Sequence, residues 1–126
     1  MRGLVHKYGG TSVATPEKIK NVAKRIIREK EKGLDMVVVV SAMGKTTDHL
    51  VELAGQISQH PDERELDLLL STGEQVSIAL LTMALQEEGY EAISLTGFQA
   101  GIKTVGPHTK NKIIDIDIDK VKDYLA

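Results

Sequence analysis

The run Met36-Val37-Val38-Val39-Val40 most limits what this chain can become. Four consecutive valines leave no polar face. A strand built from them must be covered on both sides, which is the habit of parallel strands lying under helices. What precedes the run fits a βαβ unit. Leu4 to Tyr8 reads as a first strand. Thr15-Pro16 then starts a helix, with Thr15 as N-cap and Pro16 at the first helical position. Ile19, Val22, Ala23, Ile26 and Ile27 recur at the spacing of one helical face, and Lys20, Lys24, Arg25, Arg28 and Glu31 lie opposite them. Gly33 is placed to end this helix before the valine run.

The pattern continues past the run. A second helix is expected from about Thr47 to Ser58, with Leu50, Leu53, Ala54 and Ile57 as its buried face. His60-Pro61-Asp62 breaks it, and a short helix carrying Leu66, Leu69 and Leu70 follows. Thr72 and Gln75 have capping-box spacing, which predicts a new helix from Thr72 to about Glu88, apolar on most sides and ended by Gly89. Glu91 to Leu95 suits a third strand, Thr96 to Gly101 a loop, and Ile102 to Val105 another extended segment. Ile114, Ile116 and Ile118 alternate with Asp115, Asp117 and Asp119, the period of a strand with one wet face. A last short helix begins near Asp119. The order β-α-β-α-α-α-β-β-β-α predicts an α/β fold with a mainly parallel sheet and right-handed crossovers.

Composition narrows the function classes. The chain has 126 residues, 41% of them hydrophobic, enough for a real core. It has no cysteine, which excludes disulfides, thiolate metal sites and a thiol nucleophile. A net charge of -2 and only three Tyr and one Phe argue against a nucleic-acid partner. Wholly apolar stretches such as Met36 to Val40 are too short to span a bilayer, and the N-terminus holds no apolar run of signal-peptide length. A soluble cytoplasmic domain is the expectation.

In open α/β sheets, ligands gather beyond the carboxyl ends of the strands. That rule selects four loops. Lys7-Tyr8-Gly9-Gly10-Thr11-Ser12 follows the first strand. Its paired glycines allow backbone N–H groups to approach an anion, with Lys7 as a point charge and Thr11 and Ser12 as hydroxyl donors. A phosphate cradle and a plain tight turn fit it equally well. Neither a Walker A loop nor G-x-G-x-x-G is present. Ser41 to Thr47 repeats the logic after the second strand, either as an anion site at a helix start or as a capped connection with Thr46 or Thr47 as N-cap. Glu74 is expected in a first helical turn, where the macrodipole favours its charge; it reads as helix-end electrostatics or as the partner of a substrate ammonium group. Gly73 beside it would let a ligand come close. Thr96 to Gly101 is the fourth loop. The four histidines, His6, His49, His60 and His108, share no metal-ligand spacing, and Lys120 and Ala126 replace the Gly and Glu that a calcium loop beginning at Asp115 would need. No metal-ligating residue is assigned.

Together the segments Lys7-Tyr8-Gly9-Gly10-Thr11-Ser12-Val13, Val38-Val39-Val40-Ser41-Ala42-Met43-Gly44, Thr46-Thr47-Asp48, Thr72-Gly73-Glu74 and Thr96-Gly97-Phe98-Gln99-Ala100-Gly101-Ile102, with the later His108, resemble the aspartokinases. The resemblance covers nearly the whole chain. It implies the three-layer αβα amino acid kinase (carbamate kinase-like) fold, with residues 1–126 as the N-terminal portion of the catalytic domain and no regulatory ACT domain. It implies ATP-dependent phosphorylation of the side-chain carboxylate of L-aspartate to 4-phospho-L-aspartate, the first step of lysine, threonine and methionine synthesis. ATP and Mg²⁺ would be required. Lys7 would be catalytic and contact the transferring phosphate. Tyr8, Gly9, Gly10 and Ser12 would lie with Lys7 around the nucleotide, Ser41 at the junction of nucleotide and aspartate, Thr47 on the aspartate, and Glu74 on its amino group. The arginine-bearing second aspartate segment, catalytic aspartate and adenine site of the family have no counterpart here. The expected partners are therefore L-aspartate, ATP, and either further copies or the rest of the kinase, with no nucleic acid and no membrane. The alternative is a non-catalytic anion-binding or dimerising fragment.

Overall fold

The computed structural model describes residues 2–108 and 110–126. The first strand, β1 (Gly3–Tyr8), is followed by one 3-10 turn at Gly10–Val13 and by helix α1 (Pro16–Lys30). The Thr15 hydroxyl caps α1 by accepting from the Lys18 N–H, and Pro16 occupies the first turn as predicted. Ile19, Val22, Ala23 and Ile26 are its buried stripe. Each such side chain stabilises the fold by roughly 1.5–3 kcal/mol when fully buried, Ala less. Gly33, at φ 84°, carries the chain out of the helix through a bond from its N–H to the Lys30 carbonyl.

Strand β2 (Asp35–Val40) pairs in parallel with β1, in a register that sets Leu4 opposite Met36, His6 opposite Val38 and Tyr8 opposite Val40. These six share one face. Tyr8 and Val40 join Val13, the α1 stripe, Leu81 and Leu85 in the core, with Met36 and Val38 packed against it. The valine run thus forms the parallel strand that the sequence predicts, but it is covered on one face only. The other face presents Val5, Val37, Lys7 and Val39, with Val5 66% and Val39 49% exposed.

Helix α2 (Thr46–Ile57) is close to its expected bounds, yet its predicted apolar face is not buried. Leu50 and Ala54 are half-buried, while Leu53 and Ile57 are exposed. Neither expected threonine is the N-cap: Lys45 holds that position, and the Thr46 hydroxyl turns back to the Met43 carbonyl at 2.6 Å.

The largest departure is helix α3 (Glu63–Glu87), one 25-residue helix where two were expected. Ser71 and Thr72 donate their hydroxyls to the carbonyls of Leu68 and Leu69 at 2.7 and 2.6 Å. A hydroxyl bonded to the preceding turn is compatible with a continuous helix, so the capping-box spacing at Thr72 is never used as a cap. Asp62 caps the true start by accepting from Glu65 N–H, and Gly89 at φ 87° follows the end. By length and composition α3 could cross a membrane. Here it packs on α1 and α2 and buries Gly73, Ser77, Leu81 and Leu85 along one stripe, as a core helix does.

Residues 91–95 form no strand; the Gln86 side chain donates to the Ala92 carbonyl, and Ala92 packs on the core. Strands β3 (Ile102–Val105) and β4 (Lys112–Ile116) make a separate antiparallel pair with an irregularity at Lys103/Thr104. Both faces of β4 are exposed, so the expected dry side is absent. Ile118 belongs to the final helix, α4 (Ile118–Leu125), which Asp117 caps. The architecture is α/β with a parallel β1–β2 sheet, as the sequence predicts.

Candidate functional site

Two of the selected loops meet, and the segment that carries Glu74, a stretch of helix α3 and not a loop, packs on them. The carbonyl of Tyr8 accepts from the Ser41 N–H at 3.1 Å, and that of Gly10 from the Gly44 N–H at 2.9 Å. The two strand-end loops are therefore stitched by their backbones. A side chain on Gly10 would stand 2.8 Å from the Ala42 carbonyl oxygen and 3.1 Å from that of Gly44. This glycine admits the neighbouring loop. Gly9 differs, with open space where a Cβ would go.

Helix α3 enters from the other side. A Cβ on Gly73 would meet the Ala42 methyl at 2.9 Å and the Thr46 methyl at 3.3 Å. Gly73 is thus a helix-to-loop contact, and the ligand approach expected of it is already filled by protein. Glu74 follows in mid-helix, so the expected first-turn dipole stabilisation does not act on it. What positions Glu74 is the close packing of Gly73 against Ala42 and Thr46. Ala42, 3% exposed, is the residue that sequence reasoning missed. Its only signal was a small side chain between the valine run and Gly44.

Around this junction stand Lys7, exposed on the open sheet face, Ser41, half-buried at the end of β2, Thr47, half-buried in the first turn of α2, and Glu74, half-buried on α3. Among the described residues neither Lys7 nor Glu74 forms an ion pair.

Other predicted residues lie elsewhere. The Tyr8 side chain is in the core, its hydroxyl 2.9 Å from His6 Nδ1, so only its backbone can face the junction. Thr11 and Ser12 line a cleft of about 280 Å³ with Lys18, Asn21, Val22 and Arg25. The fourth loop, Thr96 to Gly101, folds on itself through mutual bonds of Thr96 and Gln99, and Gly101 packs against Asp117. Its Phe98 is exposed. His108 pairs with Asp67 on α3 at 2.9 Å.

Burial pushes the Tyr8 phenol pKa up, with Arg25 opposing and Glu29 adding. The folded state therefore holds this proton more tightly than the unfolded chain. The resulting stability is fully present below the ordinary value near 10 and is lost as pH rises through the raised folded value. Tyr8→Phe should flatten the alkaline fall in stability. Urea midpoints from pH 8 to 11 check this, and equal slopes for the two proteins would contradict it.

The sequence model of the amino acid kinase family matches residues 2–126. The chain belongs to the amino acid kinase family. Within that family it is similar to aspartokinases. It is 61% identical over 119 residues to the aspartokinase of Geobacillus stearothermophilus, covering 94% of this chain and 29% of that protein. It is 59% identical over 122 residues to aspartokinase 2 of Bacillus subtilis, covering 97% of this chain and 30% of that one. A crystal structure of aspartate kinase from Synechocystis superposes with a TM-score of 0.75 at 65% identity, over 78% of this chain and 17% of the other. This amino acid kinase chain thus spans less than a third of the length of the curated relatives it matches.

Proposed function

We propose that residues 1–126 form the N-terminal part of an aspartate kinase catalytic domain and carry half of its active site. The reaction is ATP-dependent phosphorylation of the L-aspartate side-chain carboxylate to 4-phospho-L-aspartate, in amino-acid biosynthesis in the cytoplasm. The observation that carries this reading is the junction at Ala42. There the Lys7 loop, the Ser41 loop and the Glu74 helix are packed together, with neither charged group in an ion pair among the described residues.

In-line transfer needs little from the protein beyond position and charge. A carboxylate oxygen of aspartate attacks the terminal phosphorus, the bond to the bridging oxygen breaks, and ADP leaves. The nucleophile is already ionised, so no general base is required. Lys7 neutralises charge on the transferring phosphoryl group, beside the backbone of Gly9 and Gly10. Ser41 sits between the two substrates, Thr47 hydrogen-bonds aspartate, and Glu74 holds the ammonium group. Mg²⁺ would arrive with the nucleotide and shield its phosphates. Among the described residues no three His, Asp or Glu side chains gather to bind it, so no step is assigned to a protein-held metal.

The test is phosphotransfer from ATP to aspartate with Mg²⁺. The chain alone should turn over little, and mixing it with the separately made remainder of an aspartokinase should restore activity. In that complex Glu74→Gln should raise the aspartate KM about tenfold or more and leave the ATP KM unchanged, because a neutral amide cannot balance an ammonium ion. Equal aspartate KM values would remove Glu74 from the site. A second reading, a dimerising fragment, rests on Val76, Leu80 and Met83, which leave an exposed apolar stripe on α3. Failure of complementation, together with a dimer that Met83→Lys dissociates, would favour it.

A further inference from the structure

Glu74 follows Gly73 on α3, and Thr47 follows Thr46 on α2. The first members of these two pairs are packed on each other. A Cβ on Gly73 would stand 3.3 Å from the Thr46 methyl and 2.9 Å from the Ala42 methyl. The second distance is shorter than real side chains adopt, so nothing larger than glycine fits unless helix or loop moves. A Cβ atom cannot swing aside as the end of a long side chain can. Both sides of the contact are also backed. Ala42 is 3% exposed, and its carbonyl oxygen lies 2.8 Å from where a Cβ on Gly10 would be. The Thr46 hydroxyl is held by the Met43 carbonyl at 2.6 Å. One turn along α3, Ser77 is 1% exposed and donates its hydroxyl to the Gly73 carbonyl. Close-packed groups of this kind transmit a displacement and do not absorb it.

We infer that the contact between Gly73 and Ala42 selects the length of the acceptor amino acid, admitting aspartate and rejecting glutamate. The inference rests on the proposed function, in which Glu74 holds the ammonium group while Lys7 and the backbone of Gly9 and Gly10 serve the phosphoryl group. Gly73 and Ala42 act through Glu74 and are positioning residues. Aspartate and glutamate differ by one methylene, one added C–C bond of about 1.5 Å. A methyl on Gly73 would have to move α3 off Ala42 by roughly 0.5–1 Å to restore an ordinary contact between carbon atoms. The two lengths are of the same order. Gly10 meets Ala42 on its carbonyl side and Gly73 meets it on its methyl side, so the helix retreats from the Lys7 loop as it moves. Glu74 then withdraws in the direction that suits the longer acid. A pocket alone discriminates one methylene by only about 10–200-fold, and a misplacement of about 1 Å can lower a rate 10²-fold.

The test is phosphotransfer from ATP to aspartate and to glutamate, by the chain reassembled with the separately made remainder of an aspartokinase. The unmodified complex should prefer aspartate at least about tenfold in kcat/KM. Gly73→Ala should lower kcat/KM for aspartate by about 10²-fold and the preference for aspartate over glutamate at least tenfold, with the ATP KM unchanged. The double variant Ala42→Gly/Gly73→Ala carries the methyl on the helix instead of the loop and should regain most of the preference. Gly55→Ala, the same change on α2 with open space around it, should alter nothing. Where Gly73→Ala alone fails to fold, the double variant decides: folded and selective supports the inference, folded and unselective overturns it. Equal losses on both acids in the single variant, with the preference intact, overturn the inference and leave the proposed function standing. An unmodified complex that uses both acids equally well also overturns it. An unmodified complex that phosphorylates neither acid sinks the proposed function, and the inference with it.

Discussion

Lys7→Ala should lower kcat of the reassembled enzyme by about 10²–10³-fold, the usual effect of deleting one charge-stabilising donor. The aspartate KM should change less than threefold. The reason is where charge develops. Lys7 stands at the end of β1 with no ion pair among the described residues, whereas Glu74 lies on α3 next to Gly73, which packs on Ala42. A cation that acts on the phosphoryl group contributes most in the transition state, so its loss appears in turnover. Initial rates over a grid of ATP and aspartate concentrations separate the two constants. An unchanged kcat would deny Lys7 its role. A loss confined to the aspartate KM would move it to the other substrate.

Gly10→Ala should destabilise the fold by about 1–3 kcal/mol, the range for forcing atoms into a packed site. Its methyl would sit 2.8 Å from one backbone oxygen and 3.1 Å from another, and neither belongs to a flexible side chain. The two loops would have to part, straining the bond from Gly44 N–H to the Gly10 carbonyl. At this chain length the loss corresponds to a Tm lower by very roughly 5–15 °C. Gly9→Ala is the matched control. Gly9 has φ -78° and open space around its missing side chain, so an alanine there should cost little stability. If Gly9 instead lines the phosphate, its alanine should raise the ATP KM in a protein of normal Tm. Thermal unfolding of both variants decides the matter. Similar Tm losses would mean that the pair acts as one turn.

Much of this was legible in the residues. Thr15-Pro16 and the apolar spacing from Ile19 to Ile26 fix α1 because cap, propensity and pattern agree. The valine run fixes β2 as a parallel strand, and the rule about strand carboxyl ends led to Lys7, Gly10 and Ser41. What failed were inferences in which a local signal competes with packing. Thr72 and Gln75 have the spacing of a cap, but a threonine hydroxyl can equally bond the carbonyl three residues back, and the packed helix takes that choice. Glu91 to Leu95 has strand composition, yet a strand exists only where another chain segment pairs with it. Leu53 and Ile57 mark an apolar face that finds no cover. Gly73 was found by its place in the sequence and given the wrong neighbour, because sequence shows that a side chain is missing and not what fills the space.

Ala42 gives the junction a property of a mechanical spacer. Gly10 touches its carbonyl and Gly73 its methyl, so the thickness of one alanine sets the gap between the lysine loop and the glutamate helix. Nothing else need be tuned for the two charges to keep their separation. Under the proposed function, the span between the phosphoryl group of ATP and the amino group of aspartate is then gauged by a residue that carries no charge and makes no side-chain hydrogen bond.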